Sequence, residues 1–207
     1  MKNQEDFAFY SQKAKDRTEN SSVQNDVLDT LRDFVFWLIG VLLVFVLLFR
    51  IVIVSGPSMK DTLQNGDYLL LLSNVFYSKP EQGDVVVAVK DSFRDGEPII
   101  KRVIATAGQK VDIDFAAGIV YVEDVALDEP YTLTPTNLQE GIAFPLTVEE
   151  GCVFVMGDNR NDSMDSRSLE IGQIDCREIL GKALFVLFPG VNEVNDSRDF
   201  SRIGLIS

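Results

Sequence analysis

Residues 34–54 read FVFWLIGVLLVFVLLFRIVIV, and this run separates two parts of the chain that differ in composition. No charged side chain occurs in it before Arg50, and apolar residues resume after that arginine. About 20 helical residues span the hydrocarbon core of a bilayer, and an arginine near the end of a span extends its charge to the interface. The run therefore predicts a transmembrane helix over residues 34–54.

Two other interpretations of the run fit less well. A core helix of a soluble protein seldom contains so long an uninterrupted apolar stretch. A cleaved signal peptide has a shorter apolar region, followed by small residues of the A-x-A type. Here the apolar run is too long for a signal peptide, and no A-x-A-like site follows it.

The basic residues around the run indicate its orientation. Five lysines and arginines precede it, whereas Arg50 and Lys60 are the basic residues at its other end. Because basic flanking segments stay preferentially in the cytoplasm, we expect a polar cytoplasmic tail over residues 1–33. Residues 55–207 would then form an extracytoplasmic domain, held at the cell membrane by a single span.

The charge of residues 55–207 narrows the range of partners. The whole chain has a net charge of −13, and this part holds 13 basic and 25 acidic side chains. Affinity for nucleic acids comes largely from cationic contacts to phosphate, so the acidity argues against a nucleic-acid partner. An acidic surface of this kind is typical of a soluble domain.

Short apolar runs in the same part predict a mainly β fold. Each is four to seven residues long and is bounded by Gly, Asp, Pro or Asn, as strands are. No long stretch with helical periodicity follows residue 54. A weaker pattern with more turn residues, from about residue 115 to 148, predicts an inserted sub-region. The predicted strands are 67–72, 83–89, 99–104, 119–122, 152–156 and 183–188.

The chain contains no histidine, which limits the chemistry open to it. A serine hydroxyl is a weak nucleophile unless a base takes its proton, so serine chemistry here needs lysine, aspartate or glutamate as the base. Lysine becomes a base when burial lowers its pKa from about 10.4. Lys101, among isoleucines and a valine, would be buried if its strand faced the core. A lysine on the wet face of an edge strand has the same pattern.

Ser58 is the candidate nucleophile that lies four residues beyond the apolar run. The segment Ser55-Gly56-Pro57-Ser58 equally fits a plain turn that leaves the membrane. A second polar segment, GDNRNDSMDSR over residues 157–167, follows an apolar strand. Its alternating Asp and Arg indicate an ion-paired loop of fixed shape, of the kind that orients catalytic groups, although solvated loops are polar too.

The two cysteines, Cys152 and Cys176, match no zinc-binding pattern, and the histidines that usually complete such sites are missing. We therefore expect no metal and no cofactor. In an extracytoplasmic domain the two thiols could form a disulfide or stay unpaired and partly buried. The sequence leaves both alternatives open.

Taken together, several segments resemble the type I signal peptidases, the serine-lysine peptidases that remove signal peptides from exported proteins. Residues 55–63, SGPSMKDTL, resemble the nucleophile box of that family, and residues 101–104, KRVI, resemble its general-base box. Residues 157–167 match its third signature and residues 83–86 a structural one. The resemblance covers about residues 34–190. It implies a signal-peptidase-like, β-rich catalytic domain on a single N-terminal transmembrane helix.

The resemblance also implies a role for each matching residue. Ser58 would be the nucleophile, and its backbone N–H would contribute to the oxyanion hole. Lys101 would be the general base, and Ser163 would hydrogen-bond and orient the lysine amine. The implied substrate-pocket residues are Val54, Met59, Leu63, Ile99 and Ile100. The residues implied to brace the loop are Asp158, Arg160, Asp165 and Arg167, with Asp158 pairing Arg102.

The implied activity is that of a membrane-anchored serine endopeptidase that cleaves signal peptides by a Ser-Lys dyad. Its partners would be the lipid bilayer and secretory preproteins with small residues at the −1 and −3 positions.

The chain departs from the family pattern at three places. Gly56 stands where some members add a hydroxyl to the oxyanion hole, Asp61 replaces a proline, and residues 105–109, ATAGQ, replace Gly-x-Pro-Gly-Asp. A carboxylate near the nucleophile would favour protonated Lys101 unless it points to solvent. These departures leave an alternative from another class, a catalytically silent, membrane-anchored β domain that binds peptides or protein partners.

Overall fold

The computed structural model describes residues 27–90, 93, 96–192 and 196–206. The tail expected over residues 1–33 therefore lies outside them except for residues 27–33, which are helical. The chain divides into two compact units, one up to Leu47 and the other from Leu48 onward. The described part of the first unit is a helix, α1, which runs over Val27–Leu48. None of its apolar stretch is buried. A helix that is apolar on all sides requires a non-aqueous surrounding, so the core-helix interpretation does not fit.

The end of α1 differs from the helix expected to reach Val54. Phe49–Ile53 form a strand, β1, that pairs with the antiparallel strand β2, Tyr68–Ser73. Three of these five residues are β-branched, which favours an extended backbone. Their side chains also alternate, with Ile51 and Ile53 exposed and Val52 half-buried. Residues 49–53, which composition alone assigns to the span, therefore belong to the sheet because they pair with β2.

Antiparallel pairing organises the strands of the second unit into two sheets. Besides β1 and β2, the strands are β3 Val85–Val89, β4 Pro98–Thr106, β5 Lys110–Asp114, β6 Ile119–Val122, β7 Val125–Ala126, β8 Leu146–Thr147, β9 Cys152–Met156, β10 Ile174–Asp175, β11 Ile179–Phe188 and β12 Gly204–Leu205. In the first sheet the order is β1-β2-β11-β3-β4-β9-β10, and β12 pairs with β11. The second sheet has the order β7-β6-β5-β8. Two short 3-10 turns are Cys176–Glu178 and Phe200–Arg202.

The mainly β fold class is confirmed, and the six predicted strands correspond to β2, β3, β4, β6, β9 and β11. The second sheet begins with β5 at Lys110, before the sub-region expected over about 115–148. The alternation in β5 is apolar at Val111 and Ile113 and acidic between them. Only five residues long and interrupted by Asp112, this strand lacks the continuous apolar run by which the others were predicted.

Three apolar clusters form the core around the sheets. The first packs Val86, Ile99 and Val103 with residues of β9 to β11. The second places Met59 and Leu63, from the turn after β1, against β2, β3 and β11. The third lies between the two sheets and includes Phe154 and Met156. Burial of this kind contributes about 25 cal/mol per Å² of apolar surface and fixes the strands that position the site.

The two cysteines lie on neighbouring segments, because Cys152 opens β9 and Cys176 opens the 3-10 turn after β10. Both are free thiols and only partly buried. Burial is the leading cause that raises the pKa of each thiol. Of the two alternatives that the sequence left open, the structure has the unpaired one.

Candidate active site

Ser58 lies in the connection between β1 and β2, residues 54–67, which we call the nucleophile turn after the role expected of Ser58. The amide of Leu63 donates to the carbonyl of Met59 at 2.8 Å, and the amide of Gly66 donates to the carbonyl of Val54 at 2.9 Å. The carbonyl of Ser58 itself accepts from the amide of Asn159 at 3.0 Å. The turn is thus fixed at both ends and is tied to the polar loop after β9.

Lys101 lies on β4, where its side chain is 5% exposed. β4 is paired with β3 on one side and with β9 on the other. The amine of Lys101 donates to Ser58 Oγ at 2.8 Å and to the carbonyl of Ile100 at 3.1 Å. Of the two alternatives that the sequence left open for Lys101, the structure has the buried side chain and not the one on the wet face of its strand. The serine and the lysine are within the hydrogen-bond reach that proton transfer requires.

The environment of Lys101 changes its acidity. Burial lowers the pKa of its amine from 10.5 to about 8, because removal from water disfavours the ammonium form. The carboxylates of Asp165, Asp158 and Glu140 act in the opposite direction and limit the fall of the pKa. An appreciable fraction of the amine is therefore neutral at mildly alkaline pH.

Ser163 lies in the same cleft as Lys101. Among the described residues, its hydroxyl donates to Asp165 Oδ2 at 2.9 Å, and the amine of Lys101 donates to Ser58 and Ile100 instead. The expected hydrogen bond between Ser163 and the lysine amine is thus not formed here. The carbonyl of Ile100 holds the amine, and the role of Ser163 in orienting Lys101 stays a prediction.

Gly157 opens the polar loop at a point that no larger residue fits. A Cβ there would collide with the side chain of Ser163 and with the carbonyl of Ser58. The amide of Gly157 donates to Asp165 Oδ2 at 2.9 Å. The glycine therefore lets the loop approach the nucleophile turn closely.

Buried ion pairs brace the loop, as the sequence pattern indicated. Arg102 donates to Asp158 through Nε at 2.9 Å and through Nη2 at 2.8 Å, and both side chains are almost fully buried. Arg167 donates to Asp165 from Nε and from Nη2, at 2.8 Å each. Arg160 donates to Glu129, a residue of the connection between β7 and β8. These bidentate pairs fix the direction of each guanidinium.

A cleft of about 420 Å³ opens at Ser58 and Lys101. Among the five pocket residues implied by the resemblance, Val54, Met59, Ile99 and Ile100 line it. Leu63 does not: it is fully buried in the second core cluster, because the turn that begins at Met59 directs its side chain inward. Leu63 therefore packs in the core cluster that contains the cleft residues Val54 and Met59.

Comparison with known proteins identifies the family. The profile described as "Signal peptidase, peptidase S26" matches residues 27–188. The chain belongs to the signal peptidase family, peptidase S26.

Relatives at moderate identity agree with the assignment to the signal peptidase family. Signal peptidase I of Bacillus licheniformis is 30% identical over 184 residues, which cover 85% of this chain and 96% of that protein. A probable signal peptidase I-1 of Synechocystis is 37% identical over 164 residues, covering 73% and 80%. A crystal structure of a signal peptidase I from Enterococcus faecalis gives a TM-score of 0.41 at 30% identity and covers 50% of this chain and 96% of its own.

Among the described residues, the departures of this signal peptidase family member from the usual pattern make no hydrogen bond to the Lys101 amine. Asp61 is exposed, and the carboxylates that act on the pKa of Lys101 are Asp165, Asp158 and Glu140. Residues 105–109 end β4 and make the turn to β5, where the side chain of Gln109 accepts from the amide of Thr106 at 2.8 Å. Gly56 donates its amide to Asn65 at 3.2 Å.

Two further features concern the backbone of Ser58 and possible metal ligands. Within the described ranges, no residue accepts a hydrogen bond from the backbone N–H of Ser58. In the same part of the chain, no cluster of three or more His, Cys, Asp or Glu side chains is arranged to hold a metal ion.

Several site residues of this family member were not predicted from the sequence. Thr62 donates to Asp158 at 2.5 Å, the ring of Tyr131 stacks 4.0 Å from the Arg102 guanidinium, and Glu140 lines the cleft. Two of them lie in the weakly patterned region of residues 115–148, where no local signal marks them. For Thr62 a signal was present, because it lies within the segment that resembles the nucleophile box.

Proposed function

We propose that this protein is a membrane-anchored serine endopeptidase that cleaves signal peptides from exported preproteins, with Ser58 as nucleophile and Lys101 as general base. The observation that carries the proposal is the 2.8 Å separation of Lys101 Nζ and Ser58 Oγ at the cleft. Membership of the signal peptidase family supports the substrate class.

The first half of the reaction forms an ester. Neutral Lys101 takes the proton of Ser58 Oγ, and this oxygen attacks the scissile carbonyl carbon of the preprotein. The negative charge that moves to the carbonyl oxygen is stabilised by the backbone N–H of Ser58, an electrostatic contribution that is often the largest in such reactions. Lys101 then gives its proton to the leaving amine as the peptide bond breaks.

The second half releases the enzyme. Lys101, neutral again, takes a proton from water, and the resulting hydroxide equivalent attacks the ester carbonyl. Collapse of this intermediate returns the proton from Lys101 to Ser58 Oγ and frees the signal peptide with a new carboxylate. One residue thus serves as base and acid in both halves, as histidine does in other serine hydrolases.

Unpaired strand edges at the cleft support binding of an extended substrate. Within the described residues, β9 pairs with β4 only from Arg102 onward, so Pro98 to Ile100 have a β partner on the β3 side alone. A peptide added there gains main-chain hydrogen bonds. Alternate side chains would then point at the apolar wall of Val54, Met59 and Ile99, which suits small residues at the −1 and −3 positions.

The helix α1 supports the membrane location. Its 22 residues suffice to cross the hydrocarbon core, and the basic residues before it favour a cytoplasmic N-terminus. The second unit, from Leu48 onward, would then lie outside the cell membrane. Anchoring confines enzyme and preprotein to one surface and raises their effective concentration.

Cleavage of a purified preprotein by the full-length protein in detergent tests the proposal. We expect the wild type to release the mature protein, and the Ser58→Ala and Lys101→Ala variants to be inactive. Failure of the wild type to cleave would favour the alternative of a silent peptide-binding domain. Cleavage that survives Ser58→Ala would exclude the assigned nucleophile.

A further inference from the structure

The last segment of the chain contacts the turn that carries Ser58, although it lies beyond the residues matched by the family profile. We name residues 199–206 the C-terminal strap. Its strand β12 pairs with Phe185 and Val186 of β11, and the amide of Ile206 donates to the carbonyl of Leu184 at 3.0 Å. Ile206 packs against the core cluster that contains Met59 and Leu63.

One side chain of the C-terminal strap bonds the nucleophile turn directly. Arg202 donates to Asp67 twice, from Nη1 to Oδ1 at 2.9 Å and from Nη2 to Oδ2 at 2.7 Å. Nη2 also donates to the carbonyl of Thr62 at 3.2 Å. A guanidinium makes three such bonds at fixed angles, which a lysine amine does not.

Asp67 transmits this contact to the backbone of the turn. It is fully buried, and its carboxylate accepts from the amide of Gln64 at 2.8 Å and from the amide of Gly190 at 2.7 Å. Gly190 packs so closely on Asn65 that a Cβ would collide with the carbonyl of that residue. The end of the turn is therefore held between β2 and the segment that leads to the strap.

Thr62 links the same turn to the base. Its carbonyl accepts from Arg202, and its hydroxyl donates to Asp158. Asp158 in turn pairs with Arg102, the residue next to Lys101. We propose that Arg202 is a positioning residue of the Ser58–Lys101 site, holding the nucleophile turn in register with the base. This inference rests on the proposed function.

The expected consequence of losing Arg202 is misplacement of Ser58. Without Arg202, the buried carboxylate of Asp67 keeps its two backbone donors but loses its counter-charge, which favours a shift of the turn that contains it. A shift of about 1 Å in a reacting group costs about 100-fold in rate. Substrate affinity would change little, because Ile99 and Ile100 of the cleft wall lie on β4, whose strand partners are β3 and β9.

Variants of the full-length protein in detergent test the role of Arg202. For Arg202→Gln we expect kcat to fall about 10- to 100-fold, with KM within about twofold. Arg202→Lys keeps a positive charge beside Asp67 but loses the three fixed hydrogen bonds. Its kcat should therefore lie between those of the wild type and Arg202→Gln. Arg177→Ala is the matched control, because that arginine is 90% exposed and pairs with Asp175 on the surface. It should keep wild-type kcat.

Hydrogen exchange of the backbone amides provides a readout that does not depend on catalysis. Arg202→Gln should accelerate exchange at Gln64, whereas Val155 of β9 should exchange as in the wild type. Equal acceleration at both amides would mean that Arg202 stabilises the whole unit, and would overturn the positioning role. So would wild-type kcat in Arg202→Gln. An inactive wild type with the local exchange effect intact would instead refute the proposed function.

Discussion

In the proposed mechanism, burial of Lys101 sets the pH range in which the site becomes active. The pKa of its amine is lowered to about 8, and only the neutral amine accepts the Ser58 proton. We expect kcat/KM to rise with pH through an apparent pKa near 8, so that at pH 6 it is about 100-fold below its plateau. Initial rates of preprotein cleavage between pH 5.5 and 9.5 measure this. A profile that is flat from pH 6 to 9 would remove Lys101 from the role of base.

The same burial costs stability below the pKa of the amine. The pKa of Lys101 is lowered on folding, so the unfolded chain binds its proton more tightly. The destabilisation is full below about pH 8 and disappears as pH rises towards 10.5. We therefore expect Lys101→Met to be inactive and yet to raise the free energy of unfolding at pH 7 by about 1–3 kcal/mol.

Chemical unfolding of wild type and Lys101→Met at pH 7 and at pH 10 checks the sign of this effect. The gain from the substitution should shrink at the higher pH, because the wild-type amine is then largely neutral when folded. A gain that grows with pH would contradict the assignment of a buried ammonium.

At the scale of elements, the pair of Arg102 and Asp158 connects β4, the nucleophile turn and the loop after β9. Asp158→Asn leaves the Arg102 guanidinium buried without a counter-charge, and removal of one partner of such a pair costs about 3–5 kcal/mol. We expect a loss of this size in the free energy of unfolding, measured with denaturant. Asp175→Asn is the control. Its pair with Arg177 is exposed, so the unfolding free energy should be nearly unchanged.

The strands that the sequence predicted are those whose pattern is local. β3, β9 and β11 contain continuous apolar residues between turn signals, and such runs identify strands without knowledge of their partners. The residues of β1 are predicted as part of the span because Ile51 and Val52 suit either a bilayer or a sheet. What decides between them is the pairing with Leu69 to Leu71 of β2, a contact that composition does not contain.

The residues of the candidate site also divide into those with a local sequence signal and those without one. Ser58, Lys101 and the loop of residues 157–167 were found because each stands in a distinctive segment. Glu129 and Arg202 were not, because their partners, Arg160 and Asp67, lie 31 and 135 residues away. A charged residue gives no local sign of the contact that buries it. The hydrogen bond of the lysine amine to the carbonyl of Ile100 likewise depends on backbone geometry rather than on residue type.

At the scale of the whole molecule, the apolar helix is the proposed anchor and would determine where catalysis takes place. A charge at the centre of a span costs about 2.5–3.5 kcal/mol, so Leu38→Arg should reduce the fraction of protein that resists alkaline extraction from membranes. Cleavage of membrane-bound preprotein should fall with it, while cleavage of a short soluble peptide should not. Val27→Arg, at the end of the helix, is the control and should remain membrane-bound.

Retention of Leu38→Arg in the membrane, with unchanged preprotein cleavage, would show that α1 is not the anchor. A parallel loss of soluble-peptide cleavage would show instead that the substitution damages the second unit.

The sheet order also bears on the time at which the enzyme becomes active during its own synthesis. β11, residues 179–188, lies between β2 and β3. The hairpin that flanks Ser58 and the hairpin that carries Lys101 therefore have no shared strand neighbour until this late strand has been made. Early segments of the chain can form their own hairpins, but the sheet that would hold the proposed dyad is joined only after residue 188 has been made. Until then, we expect a nascent chain to have no peptidase activity.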